Sequence, residues 1–393
     1  MTTQGVTHVV RLTPAGRGAI ATLLVTGPGA TALVASLLHS SSGPLAARPL
    51  DAITYGRWSS AAAGEEVVVC RRAAEHVEIH CHGGHAASRA IIDSLCAAGC
   101  VETDWRQWVR AAAIDPIRAE AEIALACAST LRVAEILCDQ RAGALRAALA
   151  QIAAHLATSE VDHARACVEQ LLALAPLGLH LVEPWRVVFA GSPNVGKSSL
   201  INALLGYERA IVHPTPGTTR DVVSTLTAFD GWPVELSDTA GLRDDAEPLE
   251  TAGIDLARRQ LAAADLVVLV ADASTSMAAA LARLSAGDCR DALRVFNKCD
   301  LLPPGCPAPD AVGQALFTSA LRGEGIAQLQ AEIVRRLVPA LPTRGQAMPF
   351  LACQVAALER MRDLLVAVRP AEAAAILADN RHWVDQDRGD PPC

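Results

Sequence analysis

The feature that most constrains the fold is a glycine loop that separates an apolar segment from a helical one. Residues 191–198 read G-S-P-N-V-G-K-S and fit the pattern G-x-x-x-x-G-K-[ST] at every fixed position. The segment before it, Arg186 to Ala190, predicts a short buried strand, and Ser199 to Leu205 has helical spacing. A strand, loop and helix in this order are typical of proteins whose backbone N–H groups surround a phosphate.

The use of lysine points to a second part of the same site. The sequence has 34 Lys and Arg residues, of which only Lys197 and Lys298 are lysines, so we expect lysine where a property specific to it is needed. Lys298 lies in N-K-C-D, residues 297–300, after a strand-like segment. The Asp300 carboxylate can accept from the N1–H and the 2-amino group of guanine, a donor pair that adenine lacks. Guanine is therefore the predicted base.

The remaining parts of a GTP-hydrolysing domain lie between and after these motifs. Asp238 and Gly241 belong to D-T-A-G, which predicts a Mg²⁺ contact and a γ-phosphate contact. Thr218 and Thr219 end a Pro- and Thr-rich loop whose hydroxyl can reach Mg²⁺. The residues predicted to hold GTP are Gly191, Asn194, Val195, Gly196, Lys197, Ser198, Ser199, Thr218, Thr219, Asp238, Gly241, Asn297, Lys298, Asp300, Ser319 and Ala320, with Ser198, Thr219 and Asp238 also ligating Mg²⁺.

Composition limits the class of protein around this domain. The 393 residues are 51% hydrophobic and carry a formal net charge of −8, which argues against disorder and against wrapping nucleic acid by bulk electrostatics. No apolar run is long enough to cross a membrane, and the start does not have the order of a signal peptide. The 12 cysteines are scattered without a Cys-x-x-Cys pair. We expect a cytoplasmic protein without a membrane partner.

Pattern changes along the chain predict its organisation. Alternating segments such as Gly5 to Leu12 and Ala21 to Val25 predict strands, whereas helical spacing begins near residue 106 and resumes from Phe350 to Leu377. We expect an α/β protein in which a P-loop GTPase domain with a doubly wound, mostly parallel sheet is inserted in a helical domain. A small N-terminal α/β domain precedes them. The predicted boundaries are 1–105, 106–183, 184–338 and 339–393.

These motifs resemble those of the TrmE-Era-EngA group of GTPases, and most specifically the MnmE (TrmE) family of tRNA-modifying GTPases. Outside the GTPase motifs, the resemblance rests on R-L-T-P-A-G-R-G-A-I-A at 11–21, on H-V-E-I-H-C-H-G-G at 76–84 and on the start of the helical region at 119–129. It implies a homodimer whose N-terminal domain is similar to a folate-binding domain. It also implies a tRNA substrate modified at the wobble uridine together with a flavin-dependent partner protein, and a one-carbon folate donor.

The resemblance also supplies the catalytic groups. Ras-like GTPases orient the attacking water with a Gln after D-x-x-G, but Leu242 stands at that position. The family implies a Glu for this role, here Glu250, and K⁺ held in part by Asn194 of the phosphate loop, so the expected catalytic residues are Glu250, Lys197 and Asn194. Arg220 is an alternative for neutralising the transition-state charge.

The sequence departs from the family's pattern at several places. The family's closing Cys-x-Gly-Lys, whose Cys serves modification, is replaced by D-P-P-C at 390–393, so the role of Cys393 is open. A Tyr-Thr-Gly-Glu-Asp stretch is reduced to A-G-E-E at 63–66, and Asn-Gly-Lys is replaced by A-A-I at 112–114. These departures bear on the folate site and the tRNA chemistry. A second hypothesis is a regulatory or ribosome/RNA-assembly GTPase that has lost the modification chemistry.

Two further clusters have competing interpretations. His76, His80, His82, His85 and Cys81 could bind a transition metal, or could simply form the strand end seen in the family. Arginines could form a tRNA-facing stripe on the helical domain or an ordinary solvated face; they are Arg106, Arg110, Arg118, Arg132, Arg141 and Arg146.

Overall fold

A computed structural model describes residues 5–14, 16, 18–59, 64–207, 224–238, 261–274, 292–303 and 315–384. The chain divides into two compact units, Met1–Ala119 and Glu120–Pro392. The four sequence-predicted domain boundaries remain predictions. None of the helices within the described ranges combines the length and the apolar character that crossing a membrane requires.

The first unit is built on a sheet to which seven strands contribute within the described residues. They are β1 His8–Arg11, β2 Ile20–Thr26, β3 Leu38–His39, β4 Ile53–Trp58, β5 Glu65–Ala73, β6 His76–His82 and β7 Val101–Thr103, in the spatial order β3-β4-β5-β6-β2-β1-β7. Neighbours are antiparallel except β1 and β7. Helices α1 Ala30–Leu37, α2 His85–Ala97 and α3 Trp105–Ala112 complete the unit.

Alternation along the strands gives this unit a core of its own. In β6, Val77, Ile79 and Cys81 are buried, whereas the residues between them are less so, because successive side chains point to opposite faces of a strand. Trp58 is fully buried and donates from Nε1 to Ser94 Oγ of α2 at 2.8 Å, which satisfies its one polar atom. The predicted strands at Gly5 to Leu12 and Ala21 to Val25 coincide with β1 and β2.

The second unit begins with helices. They are α4 Pro116–Ala126, which spans the junction of the two units, α5 Leu131–Arg141, α6 Ala144–Ala157, α7 Val161–Ala173 and α8 Ala175–Leu179. In α6, Leu145, Leu149 and Ile152 are buried at the spacing of one helical face.

A second sheet follows, with helices around it. Its described elements are β8 Trp185–Ala190, α9 Lys197–Tyr207, β9 Ser224–Phe229, β10 Trp232–Asp238, β11 Leu266–Asp272, β12 Leu293–Asn297, β13 Leu316–Phe317 and α10 Ile326–Leu337. The order is β13-β12-β11-β8-β10-β9, and every pair is parallel except β10 with β9. The carboxyl ends of β8, β10, β11, β12 and β13 therefore lie at one edge of the sheet, where doubly wound sheets bind their ligands.

The chain then returns to the helical part as α11 Ala352–Val366 and α12 Pro370–Ala378. Helix α11 packs against α7 and α12 against α6, so the second sheet is inserted between two parts of one helical layer. The returning segment is held by Gln140, whose Nε2 donates to Gln346 O at 2.9 Å and whose Oε1 accepts from Met348 N at 3.2 Å. This arrangement is the inserted P-loop fold that the sequence predicts.

Candidate nucleotide-binding site

The loop between β8 and α9 requires glycine at two positions. Gly191 has φ 151°, and a Cβ there would lie 2.2 Å from the carbonyl oxygen of Val270. Gly196 has φ 92°, and a Cβ there would lie 2.3 Å from Nδ2 of Asn297. A side chain at Gly191 would displace the backbone of β11, and one at Gly196 would displace the side-chain amide of Asn297. The loop thus follows the sheet edge closely and leads its N–H groups into the first turn of α9.

Lys197 is the first residue of α9 and is 5% exposed. Its Nζ donates to the carbonyl oxygens of Gly191 at 3.2 Å and Ser192 at 3.3 Å. The same ammonium lies 3.8 Å from Asp238 Oδ1. A buried cation inside the curve of the loop is suited to phosphate oxygens, because burial strengthens its field.

Ser198 and Asp238 bring two oxygen ligands together. Ser198 Oγ donates to Asp238 Oδ2 at 2.5 Å, and Asp238 is the last residue of β10 and 8% exposed. Hydroxyl and carboxylate oxygens are the donors that Mg²⁺ prefers, so this pair fits the metal that the motif implies. Lys197, Ser198 and Asp238 therefore converge as the sequence predicted.

Asn297 ties three loops together. Its Nδ2 donates to Val195 O at 3.0 Å, and its Oδ1 accepts from Ala320 N at 3.1 Å and from Thr318 Oγ1 at 3.4 Å. The side chain is buried, with the residue only 2% exposed. Asn297 is among the residues that the sequence predicts to hold GTP; the structure shows its amide joining the phosphate loop to the loop after β13.

Lys298 adds a second link to the phosphate loop. Its backbone is left-handed, with φ 65°, and its Nζ donates to Asn194 O at 2.7 Å and to Asp272 Oδ2 at 2.6 Å. Burial raises the pKa of Asp272, but the hydrogen bonds from Lys298 and Ser274 outweigh it and leave that pKa below its usual value. Asp272 is therefore ionised at neutral pH. Sequence reasoning missed it, although a carboxylate that ends an apolar strand between two motifs was the available signal.

The Asp300 carboxylate is held by a hydroxyl group of the loop after β13. Ser319 Oγ donates to Asp300 Oδ1 at 2.6 Å, so the loop after β13 orients the carboxylate predicted to bind guanine. The neighbouring Cys299 thiol has a raised pKa, first because of burial and then because of the Glu324 carboxylate. The thiol is accordingly protonated at neutral pH and adds no charge beside Asp300.

Several predicted residues lie outside the described ranges. They are Thr218, Thr219, Gly241 and Glu250, together with Arg220, Leu242 and Cys393. Their roles remain predictions.

The structure does not bring the side chains of His80 and His82 to a common partner. His80 Nδ1 pairs with Thr22 Oγ1 at 3.0 Å and His82 Nδ1 with Glu65 at 2.6 Å, so these two rings have separate partners. Among the described residues, the side chains close enough to share a metal are instead His155, Glu160 and His163. There His155, in the last turn of α6, lies 2.6 Å from Glu160 at the start of α7, where the helix dipole favours the Glu160 carboxylate.

The structure excludes Arg106 from the possible arginine stripe on the surface of the helical domain. Arg106 is only 8% exposed and lies 3.8 Å from Asp104, so it cannot belong to a surface stripe. Arg132 and Arg141 are paired with Asp230 and Glu122.

Comparison with known proteins shows that the chain is similar to other GTPases both in this pocket and outside it. The family model described as 50S ribosome-binding GTPase matches residues 186–298. A tRNA modification GTPase MnmE of Symbiobacterium thermophilum is 34% identical over 82% of this chain and 80% of its own length. The chain belongs to the MnmE family. The MnmE of Chloroflexus aurantiacus is 34% identical over 93% of the chain and 90% of its own length, and that of Geobacter sulfurreducens 32% over 90% and 85%.

Membership in the MnmE family and the match to the GTPase family model show that the chain binds GTP with Mg²⁺ and hydrolyses the nucleotide.

Proposed function

We propose that this chain is a tRNA-modifying GTPase that acts as a homodimer on the wobble uridine of tRNA, together with a flavin-dependent partner protein. The observation that carries the proposal is the extent of the likeness: the GTPase model covers residues 186–298, whereas relatives named tRNA modification GTPase match 82% to 93% of the chain. The first unit and the helical layer are therefore related as well, not only the hydrolytic domain.

In this proposal, different residues contact the phosphates, the Mg²⁺ ion and the base of the nucleotide. The backbone N–H groups of Gly191 and of residues 194–199, together with the Lys197 ammonium, hold the phosphates. Ser198 and Asp238 hold Mg²⁺, together with Thr219, which lies outside the described residues. Bound Mg²⁺ neutralises charge on the phosphate oxygens. Asp300 accepts from the base, and Asn297 with Lys298 joins the base-binding loop to the phosphate loop.

Two groups complete hydrolysis in this proposal. Glu250 orients the attacking water in place of the Gln that Leu242 replaces. Asn194, which is exposed and has φ 63°, contributes to a K⁺ site beside the γ-phosphate. A monovalent cation there stabilises transition-state charge as an arginine finger would. A one-carbon folate in the first unit stays a prediction of the family resemblance.

The modification function is tested by complementation. A strain lacking its own MnmE receives this chain, and wobble nucleosides of total tRNA are quantified by mass spectrometry. We expect the modified uridine to return with the wild type and with Gly206→Ala, and not with Gly196→Ala. If wobble modification stays absent with the wild type while purified protein hydrolyses GTP, the modification proposal is wrong and the regulatory GTPase remains.

The catalytic roles are tested on purified protein. Replacing Na⁺ by K⁺ at equal ionic strength should raise the hydrolysis rate. Glu250→Ala should lower kcat on the order of a hundredfold with GDP affinity retained, because water positioning acts only on the chemical step. Glu247→Ala is the matched control from the same segment. Equal rates in both salts would remove K⁺ from the mechanism.

A further inference from the structure

The ammonium group of Lys298 occupies a junction of three loops. It donates to Asn194 O in the phosphate loop at 2.7 Å and to Asp272 Oδ2 at the end of β11 at 2.6 Å. Lys298 itself follows β12, where Asn297 is the register partner of Asp272. The N-K-C-D motif predicts that Lys298 holds the nucleotide, but it does not predict the contact with the Asp272 carboxylate.

Asp272 is held so that one oxygen faces the lysine. Its Oδ1 accepts from the backbone N–H of Ser274 at 2.9 Å and from the Ser274 hydroxyl at 2.6 Å, which leaves Oδ2 for Lys298. The Asp272 side chain is 15% exposed and that of Lys298 33%. A charge-assisted bond this short and this sheltered is screened less than a surface ion pair.

We propose that Asp272 is a positioning residue for guanine-nucleotide binding, holding the Lys298 ammonium against the phosphate loop so that the lysine stem and Asp300 face the base. The proposal rests on the guanine pocket described above. Without Asp272, the Lys298 ammonium keeps only one of these two acceptors, the neutral carbonyl oxygen of Asn194. The long Lys298 side chain then regains rotamer freedom. Nucleotide binding must then order that side chain, which weakens affinity without touching the hydrolytic step.

The first test separates binding from chemistry. Dissociation constants for GDP and GTP, together with kcat and KM, are measured for Asp272→Asn and Asp272→Ala. We expect affinity to weaken roughly tenfold and KM to rise alike, with kcat at saturating GTP kept within about twofold. Asp265→Asn is the matched control, because Asp265 precedes the same strand at its opposite end and also accepts a backbone N–H, that of Arg186 at 2.7 Å. An equal loss of affinity in Asp265→Asn, or a fall in kcat with KM unchanged, would overturn the proposal.

The second test asks whether Asp272 acts through Lys298. In a double-mutant cycle on GDP affinity, Asp272→Ala should have no further effect once Lys298→Ala is present. Additive losses would contradict the proposed route. If Lys298→Ala weakens GDP binding but Asp272→Ala does not, only this inference fails. If Lys298→Ala leaves GDP affinity unchanged, the guanine pocket itself is wrongly assigned, and the proposal falls with it.

Discussion

Gly196 is the residue at which the phosphate loop has least room. An added Cβ would lie 2.3 Å from Asn297 Nδ2, at φ 92°. We predict that Gly196→Ala weakens GDP affinity roughly tenfold or more, because it strains the backbone and pushes away the amide that bonds Val195 and Ala320. Titration with a fluorescent guanine nucleotide measures the change.

Gly206 is the control for that substitution. It lies within α9, a Cβ there would meet nothing within 4 Å, and its φ lies outside the left-handed range. Gly206→Ala should keep nucleotide affinity and raise stability by up to about 1 kcal/mol, since alanine is the better helix former. Equal affinities of the two variants would show that the close approach of Asn297 has no role in binding.

Single residues also show where sequence reasoning ends. Lys197, Ser198 and Asp238 were predictable because their motifs have fixed spacing on either side of a strand end. The linking role of Asn297 and the presence of Asp272 were not, since both depend on which strands are neighbours in the sheet. Strand order places Asp272 beside Asn297, and no spacing along the chain encodes that order.

At the scale of elements, the turn between β9 and β10 contacts the start of α5. Thr130 caps α5 by accepting from Val133 N at 3.3 Å, and its hydroxyl donates to Gly231 O at 2.7 Å. Arg132 pairs with Asp230 at 3.2 Å and lies over the Trp232 ring. One helix end therefore joins the helical layer to the strand pair that ends in Asp238.

Thr130 should contribute most to this contact. We predict that Thr130→Ala lowers the free energy of unfolding by about 1–2 kcal/mol, because both the helix cap and the bond to Gly231 are lost. Thr130→Ser keeps the hydroxyl and should lose well under half of that. Arg132→Ala should cost about 1 kcal/mol or less, since its ion pair is partly exposed. Urea unfolding measures all three, and a Thr130→Ser loss as large as that of Thr130→Ala would contradict the role of the hydroxyl.

Strands β8 and β11 are joined by a carboxylate whose effect depends on pH. Asp265 accepts from Arg186 N at 2.7 Å and lies 3.4 Å from His180 Nε2. Burial raises the pKa of Asp265, but the bonds from His180 and Arg186 outweigh it, so the folded pKa lies below the usual value. This stabilisation is complete above the unfolded value of about 3.9 and is lost as pH falls through the folded pKa.

Asp265→Asn should therefore be less stable than the wild type at pH 6, and the difference should shrink as the pH falls below about 4. Urea unfolding at a series of pH values measures the difference in free energy. A difference that stayed constant from pH 6 to pH 3 would mean that ionisation of Asp265 does not stabilise the fold.

The helices and strands themselves follow from local patterns to different degrees. Alternation predicted β1 and β2, and helical spacing predicted α6, because each signal is contained in a few residues. The order of the first sheet, in which β2 lies between β1 and β6, was not accessible in this way. Such pairing is decided by contacts between segments about 50 residues apart, such as Thr26 with His76.

At the scale of the whole molecule, each unit has buried apolar residues of its own. The cluster of the first unit includes Leu23, Trp58 and Ile79, and the sheet of the second buries Phe189 and Phe296. The described residues of the candidate nucleotide site, Lys197, Asp238 and Asn297 among them, belong to the second unit. A ligand that binds only the folded state stabilises the unit that contains its site.

Calorimetry should therefore separate the two units. We predict two unfolding transitions. GDP with Mg²⁺ should raise the midpoint of only one of them, because it adds about 2.7 kcal/mol to the free energy of unfolding of that unit at a GDP concentration of about 100 times Kd. In Gly196→Ala the same GDP concentration should shift that transition less, while the other transition keeps its midpoint. A single transition that moves as a whole with GDP would mean that the units unfold together, and the separation of their cores would then have no thermodynamic consequence.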